Sequence, residues 1–216
     1  MLMKAVKSET RRSQAERRAE SDRRMMLAAL KLIAEKGSTG ISMAEVGLAA
    51  GYSSGLPAAR YGSKLAMLEA VVDFSEKWLL ETMLKKAVKD KRGLAAVKAR
   101  IGAHLDGARD TSVATIALFQ LYMESLGTAV ELRSRIIALS NEYKAGFTRH
   151  LREAVEMGEL DPGCDVEQLA MFILGAMRGM AIQALIDGRT ADLEAAKEFL
   201  FETIFKTFRV IPEATR

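Results

Sequence analysis

One cysteine, three prolines and two histidines in 216 residues exclude several classes of protein at once. A lone thiol, Cys164, permits no internal disulfide, and the expectation is a cytoplasmic protein. Proline this scarce leaves few breaks, and Ala, Leu, Met, Glu, Lys and Arg dominate the chain, so helix is expected almost everywhere. Strand-like alternation and Asn-Gly hairpins are missing. No run of about 18 apolar residues occurs, so no transmembrane helix and no membrane partner are expected. The first twelve residues lack the apolar core of a signal peptide. His104 and His150 have no second ligand at metal-binding spacing. The chain also carries no glycine-rich phosphate loop, no Gly-x-Ser-x-Gly elbow and no paired-carboxylate motif. The reading is a non-enzyme without catalytic residues, metal or cofactor.

What is present is a helical protein of ordinary composition, 49% apolar and 28% charged, with its charge unevenly placed. Residues 1–64 hold twelve Lys/Arg against six Asp/Glu, whereas the rest of the chain is close to neutral. A basic end on a neutral body fits a polyanionic partner, and fits a solvated helix surface as well. Residues 1–20, with Arg11-Arg12 and Arg17-Arg18, read as a basic arm, flexible or frayed in free solution, that either reaches DNA or is simply solvated.

A first helix is expected from Ser21 to Lys36, with Met26, Leu30, Ile33 and Ala34 on one face and Gly37 as its C-cap. Ser42 with Glu45 forms a capping box for a short helix, with Ile41 before it as a hydrophobic staple. Gly51 supplies a tight turn, and a second short helix stops at Gly62. This arrangement is a helix-turn-helix. A long helix follows from Leu65 to about Lys89, broken at Asp90–Gly93. Helices are then expected at 94–108, 113–126 (capped by Thr111 or Ser112), 129–158, 165–187 and 191–208. The 113–126 helix is apolar on nearly all faces, which places it at the centre of a bundle. The fold class is all-α, about nine helices. A helix-turn-helix domain over 21–68 precedes a larger bundle over 69–216.

The order Ala28-Ala29, Glu35-Lys36-Gly37, Ser42-Met43, Val46, Ala50-Gly51-Tyr52-Ser53, Gly55 and Gly62-Ser63-Lys64 resembles the N-terminal domain of TetR-type transcriptional regulators. The likeness covers about residues 22–80, and the spacing between motifs is what makes it specific. Two departures stand out. Pro57 and Ala58 occupy mid-recognition-helix positions where the family usually has a large aliphatic residue and a tyrosine. Gly47 replaces its small alanine. Proline is tolerated only within a helix's first turn, so the recognition helix is expected to be capped at Ser54 and to run for about two turns.

The DNA-reading roles follow from that layout. Ser42 and Met43, opening the first short helix, and Lys64, opening the long one, suit phosphates. Ser53, Ser54, Gly55, Leu56 and Ala59 are candidates to face a major groove. Tyr61 offers a hydroxyl at the helix end. Arg60 is the candidate for a guanine edge, or equally for a phosphate. In the body, Phe74, Trp78, His104, Phe119, Tyr122, Met123 and Met177 are candidates to line a cavity for a small apolar effector, though such residues also fill ordinary helical cores. The resemblance implies a homodimer through 165–187 and 191–208, where Gly175 and Gly179 permit close helix crossing. Their apolar stripes fit intramolecular burial too. The sequence therefore reads as a repressor released from a palindromic double-stranded DNA operator by an effector. Its rivals are an effector-independent DNA-binding protein of this fold, and a helical small-molecule-binding protein with a decayed DNA module.

Overall fold

Helix-forming residues run almost unbroken between a few glycine and aspartate stops, and the chain folds accordingly. The structure, a computed structural model, describes residues 13–79, 83–110, 112–187 and 191–208. Its helices are α1 (Gln14–Lys36), α2 (Met43–Ala49), α3 (Leu56–Tyr61), α4 (Lys64–Leu79), α5 (Lys85–Ala87), α6 (Gly93–Asp110), α7 (Ser112–Glu124), α8 (Arg133–Glu156), α9 (Val166–Asp187) and α10 (Ala191–Phe208). A 3-10 turn, Val130–Leu132, leads into α8. There is no strand among the described residues. The expected all-α architecture of about nine helices is present; among the described residues the Leu65–Lys89 stretch is seen as α4 and the single turn α5. The basic pair Arg11-Arg12 and the cap Thr111 lie outside the described residues, as do residues 80–82 of that long helix.

Two expectations are corrected. The first helix does not begin at Ser21. Ser13 caps it in a full capping box with Glu16, and the stretch behind Ser13 has no helix breaker. Ser21 is inside the helix and buried, its hydroxyl donating to the Arg18 carbonyl at 2.8 Å. The second correction concerns the centre of the bundle. That place belongs to α8, which buries Ile136, Leu139, Tyr143, Phe147, Leu151 and Ala154 at helical spacing. Full burial of one such side chain as large as Phe147 contributes about 1.5–3 kcal/mol. α7 lies further out, with Val113 and Met123 exposed at 48% and 57%. It packs along α1 on one side and borders a cavity on another.

By length and composition α9 could cross a bilayer, with a mean hydropathy of 1.8 and only a third of it buried. The run is nevertheless interrupted by Glu167 and Arg178, so it is not an unbroken stretch of 18 apolar residues. In this fold α9 packs on α6, α8 and α10, burying Leu169, Ile173, Leu174 and Met177.

The two unusual residues of the helix-turn-helix meet each other. Gly47 is buried in α2, and a Cβ there would lie 2.5 Å from the Ser53 carbonyl oxygen and 3.0 Å from the Pro57 ring. Pro57 is buried in the first turn of α3, where its missing N–H costs nothing. The glycine thus makes room for the turn and the proline together. Gly47→Ala should lower stability, because overpacking against a backbone carbonyl costs about 1–3 kcal/mol against about 1 kcal/mol gained in helix propensity. A reduced urea midpoint at unchanged m-value is the expected result. Adding Pro57→Ala should restore little, since the closer obstacle is the carbonyl.

Candidate nucleic-acid interface and buried cavity

The local chemistry of the helix-turn-helix begins at its caps. Ser42 N–H donates to the Glu45 carboxylate at 2.8 Å, and the Glu45 N–H donates to the Ser42 hydroxyl at 3.2 Å. The Ser42 hydroxyl also donates to that carboxylate at 2.9 Å, and this bond, then the Ser42 N–H and Lys36, hold the exposed Glu45 carboxyl below the ordinary range. The Ser42 terminus thus already carries an anion, which a phosphate contact there has to share. Gly51, at φ 80°, turns the chain out of α2. Arg24 of α1 lies over the Tyr52 ring at 5.2 Å.

The recognition helix starts one residue later than the sequence places it. The Leu56 N–H closes a tight turn onto the Ser53 carbonyl at 3.2 Å, so helical bonding starts only with Ala59 N–H to the Gly55 carbonyl at 3.0 Å. Gly55, not Ser54, is the cap, and α3 has six residues. Ser53, Ser54, Gly55, Ala58 and Ala59 are exposed, a small and mostly uncharged face. Ala58 was not among the sequence candidates. Met43 and Leu56 are half-buried and pack partly on the core.

Arg60 is turned inward. Its guanidinium pairs with Asp22 of α1, so in this structure it is held against the scaffold and not offered to a groove. Burial, then the Asp22 charge, pushes the neighbouring Tyr61 hydroxyl up to about 12. Lys64 opens α4 as expected and donates to the Thr39 carbonyl at 3.2 Å.

A second constellation ties this unit to the body. Glu124, the last residue of α7, accepts the Ser38 N–H at 3.1 Å and also the Ser38 hydroxyl. Gly37, the cap of α1, leaves room for that carboxylate, since a Cβ there would lie 2.5 Å from it. Gln120, one turn earlier, donates to the Ala34 carbonyl at 3.3 Å. Arg135 of α8 grips α4 through Asp73 at 2.6 Å and Glu76 at 2.5 Å.

The same α7 walls a cavity of about 480 Å³. Six of the seven sequence candidates, Phe74, Trp78, His104, Phe119, Tyr122 and Met177, line it. Met123 does not: it lies about 100° round the helix from Tyr122 and is exposed. The sequence reading missed Leu27 and Leu30 of α1, Tyr143 of α8 and Arg178 of α9. Arg178 had left a signal, being the one charged residue between Glu167 and Asp187 in an otherwise apolar run. It donates to the Tyr122 hydroxyl at 2.7 Å and the Ser140 hydroxyl at 3.1 Å. His104 packs edge-on against Tyr143, ring centroids 5.0 Å apart. Burial, then the charges of Arg100 and Arg178, pushes His104 down to about 3, so it is neutral. Cys164 is shifted the wrong way for a nucleophile, pushed up by burial and by Asp165 and Asp161.

Among the described residues the outer face of α9 has no partner. Met171, Phe172 and Ile186 are exposed, and a Cβ at Gly175 or Gly179 would meet nothing within 4 Å. Phe199 of α10, 74% exposed, extends the apolar surface.

Comparison with known proteins agrees with this architecture. A family model for the tetracyclin repressor-like C-terminal domain matches residues 93–200. A TetR transcriptional regulator from Chloroflexus aurantiacus J-10-FL superposes with a TM-score of 0.78 at 21% identity, over 89% of this chain and 98% of that one. The transcriptional regulator FadR from Bacillus subtilis, solved in complex with stearoyl-CoA, gives 0.74 at 20% identity, over 85% and 97%. A putative transcriptional regulator from Saccharomonospora viridis, in complex with choline, gives 0.75 at 16% identity, over 89% and 100%. At these identities the solved structures establish the fold. Among curated proteins none matches the sequence.

The Glu124 clamp can be tested directly. Glu124→Ala leaves the Ser38 N–H without its acceptor in a site where Ser38 is 1% exposed. The expected loss is about 1–3 kcal/mol, together with faster amide exchange at Ser38. Unchanged exchange there would show that the clamp does not hold the loop.

Proposed function

The chain belongs to the TetR family of transcriptional regulators, and we propose that it is a dimeric repressor, released from a palindromic operator when a small, mostly apolar molecule fills the cavity. Regulators of this family are in general not enzymes. The observation that carries the reading is the double duty of α7. It lines the cavity through Ala114, Leu118, Phe119 and Tyr122, and its last residue clamps the loop that leads into the helix-turn-helix. A molecule in the cavity therefore acts on an element that positions the DNA-reading unit. Coupling of about 1–3 kcal/mol changes operator affinity about 5–150-fold.

In this reading α3 reads DNA through a small surface. Ser53 and Ser54 supply hydroxyls, while Ala58 and Ala59 allow close approach and contact with thymine methyls. Lys64 and the exposed arginines of α1 meet phosphates. Arg60, paired with Asp22, fixes how α3 sits on α1 and does not read a base. The outer faces of α9 and α10 pair with those of a second copy, Gly175 and Gly179 letting the helices cross closely. Two recognition helices then stand about 34–36 Å apart, one turn of DNA.

Selection from a random duplex pool, followed by salt-dependent titration, tests the reading. Enriched sequences should be palindromic, with half-sites about one helical turn apart. Lys64→Ala should weaken all enriched duplexes about equally and reduce the salt slope by about one per subunit. A pool that yields no enriched sequence would count decisively against DNA recognition.

A further inference from the structure

We propose that the cavity takes an apolar molecule with a single anionic head, a carboxylate or its equivalent, seated between Arg178 and His104. The inference rests on the regulator reading above and narrows the class of effector.

The walls are apolar nearly throughout, and Arg178 is the one charged residue among the described residues that line them. A guanidinium in such a place normally has a carboxylate beside it. Here its hydrogen bonds end on two neutral hydroxyls, Tyr122 and Ser140. Among the described residues no Asp or Glu lies in ion-pair range of it. The carboxylates that Arg135 grips, Asp73 and Glu76, are already engaged.

A second positive charge acts on the same histidine. Arg100 is 5% exposed, with its guanidinium 5.2 Å from the centre of the Phe147 ring. It presses so closely on α8 that a Cβ at Gly146 would overlap it. Its Nε is buried with no hydrogen-bond partner, and no carboxylate pairs with it among the described residues. One turn along α6, His104 lines the cavity, and both of its ring nitrogens are buried and unpartnered. A neutral imidazole has one N–H to donate. A carboxylate oxygen placed there would accept it and would also balance the two arginines.

The same arrangement disfavours a cation. Trp78, Phe119 and Tyr122 offer π faces, but Arg178 already occupies the face of Tyr122, 4.5 Å from its centroid. A second cation would meet its repulsion. The volume, about 480 Å³, is in the range that encloses a small organic ligand.

Three probes of one chain length separate these cases: decanoate, decanamide and decyltrimethylammonium, titrated at pH 7.5. Trp78 is the only tryptophan in the chain and lines the cavity, so its emission reports binding. Decanoate should bind at least about tenfold more tightly than decanamide, as a charge-assisted hydrogen bond provides. Arg178→Gln should remove most of that preference while leaving decanamide within about twofold, whereas Arg178→Lys should retain a preference for the anion. If Arg178→Gln does not fold, the wild type and Arg178→Lys decide. Equal binding of acid and amide, tighter binding of the cation, or no response to any probe would overturn the assignment. Repeating the titration with a pool-selected duplex keeps the two readings apart. Anion-selective binding that releases no DNA leaves the site standing and removes the regulator reading. Release of DNA by all three probes alike does the reverse.

Discussion

A carboxylate at the end of one helix, closed on the backbone of a loop far away in sequence, is the constraint on which the rest of this molecule turns. Glu124 and Ser38 are 86 residues apart, yet both Glu124 oxygens are within hydrogen-bond distance of the Ser38 N–H. The loop has just left α1 through Gly37 and is about to enter α2, so its backbone donors have no helical partner of their own. The carboxylate supplies one. It thereby fixes the angle at which the DNA-reading unit leaves the body. The long packing of α1 against α7 provides the apolar area, and the clamp provides the register.

Because α7 is shared, the cavity and the reading head are not separate devices. Leu27 and Leu30 of α1 reach the cavity directly, and Phe74 and Trp78 of α4 reach it from the helix that Lys64 opens. The cavity therefore sits at the junction of the three helices that carry or flank the DNA-reading unit. A molecule there need move α1, α4 or α7 only slightly, since close-packed helices shift as units and transmit strain. The polar part of the cavity, Arg178 held by Tyr122 and Ser140, is drawn from α7, α8 and α9.

The helix-turn-helix shows how a local rule can be broken without losing the element. Proline within a six-residue recognition helix looks disruptive, but Pro57 stands in the first turn and is buried. The space it needs comes from Gly47 across the turn. Neither residue is intelligible alone; together they are one packing solution. The result is a short helix with a small outward face, whose longest polar side chain, Arg60, is held against α1 by Asp22.

Much of this was legible in the chain itself. Helices, glycine stops and the Ser42–Glu45 box depend on spacing within a few residues, which periodicity and capping report directly. The Ser13–Glu16 box is equally local, but a reading that starts the first helix at Ser21 passes over it. Tertiary structure alone decided which way the long polar side chains turn. Arg60 faces Asp22, 38 residues away, and Arg178 faces Tyr122, 56 residues away. It also decided that α8 and not the more apolar α7 fills the centre, because α7 divides its surface between α1, the cavity and the outside. Such choices depend on which distant partner can satisfy a charge or fill a space. Local spacing carries no information about that partner.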